Sequence, residues 1–212
     1  MVFSFKIDIL YNIKSGYPFV KKEEKMKVLM INASVRADSR TKMLTDYLLL
    51  KLKGEVETID LKTQKLQPLD DKTLAQRDAL IKEKHFDYPM FDLAKQFMAA
   101  DIIVMCAPMW DLSFPAMLKT FVEHINVSGL VFKYGPNGNI ISNCKAKMLY
   151  YVTTMGGYYS TDFGFGYIKA LCDALYGIGD VRLVKAEGLD IIGNDVNAIL
   201  EKAKAEIDAL TA

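Results

Sequence analysis

Three short segments carry residues whose types and spacing suit chemistry. In Cys106-Ala-Pro-Met-Trp-Asp-Leu-Ser-Phe-Pro115 an apolar run ends at Ala107, and Pro108 forbids further ladder pairing. A helix is expected to open near Ser113, a favourable N-cap, with Phe114 and Pro115 in its first turn. Met109, Trp110, Asp111 and Leu112 then form a short connection at the C-terminal end of a buried strand, where open α/β sheets place ligands. An aromatic side chain and free amides there suit a flat heteroaromatic ring. They would equally make an ordinary connection with Trp110 filling a gap.

The second segment, Asn32-Ala-Ser-Val-Arg-Ala-Asp-Ser-Arg-Thr41, follows an apolar run and opens another helix. Unsatisfied N–H groups and the helix dipole attract an anion at such a place. Ser34, Ser39 and Thr41 add hydroxyls, and Arg36 or Arg40 adds charge. The segment has no glycine, which excludes a Walker loop or a G-x-G-x-x-G turn. Plain N-capping by Ser39 explains the same residues. The third segment is Thr153-Thr-Met-Gly-Gly-Tyr-Tyr-Ser160, whose paired glycines let backbone approach a ligand closely, or simply make a turn. Taken together on neighbouring strand ends, the three describe a phosphate cradle, a ring-stacking loop and an amide-lined wall. Such a set fits a mononucleotide bearing a large planar ring.

The elements that must position these loops are legible as an alternation. Strands are expected at Lys27–Ala33, Glu55–Leu61, Asp101–Ala107, Lys145–Thr153 and Asp180–Glu187. Helices are expected at Thr41–Lys53, Thr73–Lys84, Tyr88–Ala100, Pro115–Asn126, about Asp162–Tyr176 and Asp195–Leu210. Five strands alternating with helices imply a mostly parallel sheet covered on both faces. A doubly wound α/β sheet of flavodoxin-like order 2-1-3-4-5 fits the length and strand count, and it brings the loops after strands one, three and four to one rim.

Bulk properties bound the function. With 212 residues, 51% hydrophobic and 25% charged, the chain is one ordinary globular domain. A formal net charge of +1 with dispersed Lys and Arg favours neither nucleic acid nor an anionic membrane surface. No apolar run reaches the roughly 18–20 residues of a membrane span. Cys106, Cys144 and Cys172 lack C-x-x-C spacing and read as buried thiols in a reducing, cytoplasmic setting, while His85 and His124 show no metal-ligand spacing. Residues 1–25 differ from the rest. Phe3, Phe5, Ile7 and Ile9 alternate as in a strand, and Lys-Lys-Glu-Glu-Lys-Met at 21–26 can be encoded by a purine-rich ribosome-binding sequence ahead of an ATG. The expectation is therefore an N-terminal extension, 1–25, that arises from a mis-assigned start, and a working domain over 26–212.

The combination Asn-Ala-Ser…Ser-Arg-Thr, Ala-Pro-Met-Trp-Asp-Leu-Ser-x-Pro-Ala-x-Leu-Lys, Gly-Leu-Val-Phe-Lys-Tyr-Gly-Pro-Asn-Gly, Thr-x-Gly-Gly-x-Tyr and Ala-Glu-Gly resembles the FMN-dependent NADH-azoreductases. These belong to the wider group of flavodoxin-like NAD(P)H:quinone oxidoreductases. The resemblance runs from about Met26 to the C-terminus and is most specific over 106–138. It implies bound FMN, NADH or NADPH as electron donor, and two-electron reduction of quinones or azo compounds; if only one flavin face is open, donor and acceptor take turns there and the kinetics are ping-pong. It also implies a homodimer with its flavin sites at the subunit interface. By the same resemblance Ser34, Ser39, Arg40 and Thr41 match phosphate-binding positions. Met109, Trp110, Asp111 and Leu112 match the loop along the isoalloxazine, and Thr154, Met155, Gly156 and Gly157 match the far edge of the ring.

Two positions depart from the family pattern, which usually has Asn at Asp111 and Arg at Met155. An ionised Asp111 cannot donate through its side chain, so a backbone N–H must do so or the carboxylate turns away. No acid or base is required of the protein. Tyr134 orients an acceptor or merely packs, and His124, beside Glu123, reads as a satisfied structural histidine rather than the alternative, a proton donor. The aromatic run 158–167 forms a lid or packs on the core. A flavodoxin-type electron carrier, a general FMN reductase and a flavin-free domain of the same fold are the rival readings, since fold alone does not choose function.

Overall fold

The protein is described by a computed structural model covering residues 10–11, 18–19, 25–161 and 163–212. The strand expected over residues 3–9 lies outside the described residues. Leu10–Tyr11 pairs antiparallel with Pro18–Phe19. From Lys27 onward the chain alternates as the apolar spacing requires. The strands are β1 (Lys27–Asn32), β2 (Glu55–Asp60), β3 (Ile102–Cys106), a small antiparallel hairpin of β4 (Phe132–Tyr134) and β5 (Ile140–Ser142), then β6 (Met148–Thr154) and β7 (Asp180–Ala186). The sheet has five strands in the order β2-β1-β3-β6-β7, every pairing parallel. With the hairpin set aside, that is the order 2-1-3-4-5.

Period-two alternation sorts the strand residues onto two faces. Val28, Val104, Tyr150, Val152 and Val184 are buried under Leu44 and Leu48 of α1 (Arg40–Lys51) and under Leu200, Ala203 and Ile207 of the last helix, Val196–Thr211. Leu29, Ile31, Ile103, Met105, Leu149 and Tyr151 face the other way, under Phe97, Leu118, Phe121 and Ile168. These side chains are nearly excluded from water, and each of the larger aliphatic ones contributes roughly 1.5–3 kcal/mol of hydrophobic stabilisation. β2 closes one edge, where Glu55 and Glu57 are exposed.

Between the strands run α2 (Leu61–Gln64), α3 (Asp71–Glu83), α4 (Asp92–Ala99), α5 (Ala116–Ile125) and α6 (Phe163–Leu171), with α7 being Val196–Thr211. Asp70 and Asp195 cap α3 and α7 by accepting from Thr73 N–H and Ala198 N–H. The helix expected from Tyr88 is a single 3₁₀ turn, Pro89–Phe91, before α4, because Pro89 opens it without a side-chain cap. The helix expected through Tyr176 widens at Cys172–Tyr176 into a π turn that Gly177 ends at φ 63°. Tyr176 sits there edge-on to Phe97 at 4.8 Å and donates its hydroxyl to Asn126 Oδ1 at 2.7 Å.

Ser113 does not cap α5. It closes a tight turn: Ser113 N–H donates to the Trp110 carbonyl at 2.8 Å, and Trp110 N–H donates back at 3.1 Å. Asp111 and Leu112 occupy the corners with φ 51° and 64°, the pattern of a type I′ hairpin turn. With its backbone spent there, Ser113 is too early to start the helix. α5 begins at Ala116 after Pro115, with no side-chain cap.

Candidate functional site

The chain leaves β1 toward one face of the sheet and β3 toward the other, so the two connections part company and open a crevice between them. A cavity of about 390 Å³ fills it, walled by the loops after β1, β3 and β6 and by the turn after β7. The convergence expected of the first three loops is what the fold produces.

The loop after β1 is shaped by Asn32, whose buried side-chain oxygen accepts from both Ser34 N–H (3.0 Å) and the Ser34 hydroxyl (2.7 Å). The chain then turns into α1, capped by Ser39, whose Oγ accepts from Lys42 N–H at 3.2 Å. Ala37 and Asp38 form a tight turn that engages the Ser39 N–H loosely, and the other backbone N–H groups over residues 35–41 donate to no acceptor among the described residues. Ser39, Arg40 and Thr41 line the cavity beside them. Thr41 is held by a 2.6 Å contact between its hydroxyl and that of Thr154, which ties this wall to the next. A row of free donors at a helix N-terminus, flanked by hydroxyls, is the donor set a phosphate ester needs.

The loop after β3 enters the cavity through Pro108, Met109 and Trp110. Met109 N–H is taken by the Thr154 carbonyl at 3.1 Å, and Trp110 N–H by Ser113, so the free amides here are those of Asp111 and Leu112. Trp110 keeps 44% of its surface open to solvent, which is unusual for a Trp unless it covers something. The loop after β6 contributes Thr154, Met155 and Gly156. Met155 is buried, and its N–H is spent on the Ala186 carbonyl at 2.8 Å, whereas Gly156 and Gly157 offer free amides.

Ser39, Arg40, Thr41, Met109, Trp110, Thr154, Met155 and Gly156 therefore share one cavity. Ser34 lies beneath the wall as a buried brace, and Asp111, Leu112 and Gly157 stand just outside the lining. Tyr134 is exposed on the β4–β5 hairpin, with its ring edge-on to Phe132 at 5.9 Å. His124 contacts the Gln67 carbonyl at 2.8 Å and Glu123 pairs with Lys119, both away from the cavity. The run 158–167 divides its labour. Phe165 and Tyr167 pack on Tyr151 and Phe114, while Tyr158, Tyr159 and Phe163 stay exposed.

Sequence reasoning missed the turn after β7, whose Leu189 and Asp190 complete the wall. Leu189 N–H donates to the Met155 carbonyl at 3.1 Å and Asp190 N–H to the Gly156 carbonyl at 2.9 Å, so this turn is zipped onto the paired glycines. Gly188 was the available signal. Its φ of +75° favours glycine there, and the end of the Tyr158 side chain lies 2.6 Å from where a Cβ would be. Beneath the floor, burial raises the Cys106 thiol pKa, with nearby Thr45 and Ser34 hydroxyls pulling the other way; the group stays a neutral packing residue.

A doubly wound parallel sheet with a donor-lined pocket at its switch point defines the flavodoxin-like class of nucleotide-binding proteins. The chain belongs to the flavodoxin-like fold family, whose model matches residues 26–210. An FMN-dependent NADH:quinone oxidoreductase of Clostridium beijerinckii is 33% identical over 186 residues, spanning 84% of this chain and 93% of that protein. Among solved structures, an azoreductase from Bacillus anthracis strain Sterne superposes with a TM-score of 0.76 at 22% identity, covering 88% of this chain and 98% of its own. An FMN-dependent NADH-azoreductase from Bacillus anthracis strain Ames Ancestor, in complex with FMN, gives 0.72 at 21% identity, covering 88% and 97%. These structural likenesses speak to the fold.

Proposed function

We propose that this protein is an FMN-dependent oxidoreductase that uses NADH or NADPH to reduce quinones or azo compounds. The observation that carries the reading is the run of largely acceptorless amides over 35–41, in a loop whose Ser39, Arg40 and Thr41 line the same cavity as Trp110 and Gly156. When bound, FMN supplies the redox chemistry, taking two electrons from the nicotinamide donor and yielding them to the acceptor. The chain's own residues bind, orient and shield.

In this reading the amides of 35–41, with the Ser39 and Thr41 hydroxyls and the Arg40 cation, hold the phosphate. Ser34 acts through Asn32 as a positioning residue. Met109 and Trp110 lie along the ring system. The amides of Asp111, Leu112, Gly156 and Gly157 face its polar edge, where charge gathers on reduction. At Asp111 the backbone amide does the donating. Trp110, Leu112 and Phe163, the last two joined by the Phe163 N–H to Leu112 carbonyl bond, leave an exposed apolar rim. We infer that a second copy of the chain covers this rim, giving a homodimer.

The test is the absorbance spectrum of the purified protein with FMN, before and after anaerobic NADH. Flavin bands that bleach with NADH and return with a small quinone support the reading. A protein that remains colourless in excess FMN overturns it. Initial rates with donor and quinone varied together are expected to give parallel double-reciprocal lines, because one open ring face serves both in turn.

A further inference from the structure

Arg40 joins two walls of the cavity. From the first position of α1, its Nη2 pairs with Asp190 Oδ1 at 2.6 Å and its Nη1 donates to the Leu189 carbonyl at 2.9 Å. Asp190 is held in turn by its own N–H on the Gly156 carbonyl. Its carboxylate lies against Gly156, where an added Cβ would fall 2.5 Å from Oδ2. The remaining charged lining residues, Arg36 and Asp38, are one of each sign. An anion seated among the amides of 35–41 thus meets a cation whose charge is already offset, with a carboxylate standing on the facing wall.

We propose that Asp190 is a specificity-determining residue, one that sets how strongly the cavity holds a phosphate monoester and hence how far it prefers phosphorylated over unphosphorylated flavin. The inference rests on FMN occupying this cavity. Asp190 is two-thirds exposed, so its ion pair contributes little to the fold. The Leu189 carbonyl keeps hold of the guanidinium without the carboxylate, so removing the negative charge changes the field and leaves the geometry in place. A phosphate monoester carries about −1.5 to −2 charges at neutral pH and responds to that field. The isoalloxazine and ribityl chain do not. Asp190 therefore keeps the cofactor exchangeable, opposing the donor row that binds it.

The experiment is a fluorescence titration of flavin-free protein with FMN and with riboflavin, for the wild type, Asp190→Asn and, should that variant fold poorly, Asp190→Ser. The expected result is FMN binding roughly tenfold tighter in the variants with riboflavin affinity within about twofold of wild type. Arg40→Gln is expected to move FMN by about the same factor in the opposite sense, again without riboflavin. Equal shifts for both flavins mean a structural role and overturn the inference, as does FMN affinity that is unchanged or weaker. A wild type that takes up neither flavin overturns the functional reading itself. Normal FMN uptake with an unaltered FMN-to-riboflavin ratio in the variants overturns this inference alone.

Discussion

Phe163 donates its backbone N–H to the Leu112 carbonyl at 3.0 Å, so the first turn of α6 is fastened to the tip of the turn that carries Trp110. Leu112 makes this bond from φ 64°, a left-handed conformation that costs a non-glycine residue roughly 1–2 kcal/mol. The hydrogen bonds between Trp110 and Ser113 and the anchor to α6 together hold it there. An exposed tryptophan is thereby fixed by backbone contacts on both sides of its turn.

The strain is testable at Leu112 itself. It is 40% exposed, so truncation removes little packing. Leu112→Gly is expected to raise unfolding free energy by about 0.5–1 kcal/mol, because relief of the left-handed penalty outweighs glycine's added unfolded-state freedom. Leu112→Val, β-branched and worse in this region, is expected to lower it by about 1 kcal/mol. Denaturant melts of the two variants decide the matter; equal midpoints would show the turn to be unstrained.

How much of this was legible in the sequence depends on whether local chemistry decided the outcome. The strands were readable because each is a short, doubly covered apolar run, and Ser39 was readable as a cap because its side chain acts on its own helix. Ser113 was misread for the opposite reason. Its type suits a cap, but Trp110, brought into register by Asp111 and Leu112, took both of its backbone groups first. The hairpin at 132–142 was missed because Phe132-Lys-Tyr134 is too short for a periodicity to register. Asp190 could not be found from its neighbours in the chain, since its role comes from Arg40, 150 residues away.

The two glycines packed against the β7 turn differ in what they exclude. Gly188→Ala meets a positive φ of 75° that an L side chain rarely adopts, besides the ends of the Tyr158 and Asn194 side chains within 2.8 Å of the new Cβ. A loss of about 2 kcal/mol or more is expected. At Gly156 the obstacle is the end of the flexible Asp190 side chain, which can swing away. Gly156→Ala is therefore expected to cost under about 1 kcal/mol in stability while breaking the Arg40–Asp190 pair. Thermal melts rank the two, and a Gly156→Ala loss as large as that of Gly188→Ala would refute the distinction.

Cys172 ties stability to alkaline pH. Burial pushes its thiol pKa up to about 12, with the nearby Asp173 charge acting in the same sense. In the unfolded chain the thiol ionises near pH 8.5. The native state therefore binds the proton more tightly, and its contribution is complete below the unfolded pKa. It declines as pH rises from there toward 12, by up to about 1.4 kcal/mol per pH unit. Burial raises Tyr176 as well, which adds to the loss once the unfolded phenol ionises near pH 10. Urea midpoints are expected to fall steadily from pH 8.5 to 10.5, and Cys172→Ala, weaker at neutral pH because of its cavity, is expected to show a shallower fall. Parallel declines in the two proteins would sink the assignment.

Ser39 separates capping from ligand binding. Its Oγ already accepts from Lys42 N–H, so Ser39→Ala is expected to cost the apoprotein about 1 kcal/mol through the lost cap. The hydroxyl proton, however, is free to point into the cavity among the acceptorless amides. Its loss is expected to weaken FMN by roughly tenfold, a hydrogen bond to a charged acceptor being the stronger kind, with riboflavin almost unaffected. Ser39→Gly gives the control, since glycine caps nearly as well as serine but brings no hydroxyl. It should restore the melting temperature without restoring FMN affinity. Recovery of both together would assign Ser39 to the helix alone, leaving the phosphate to the backbone of 35–41.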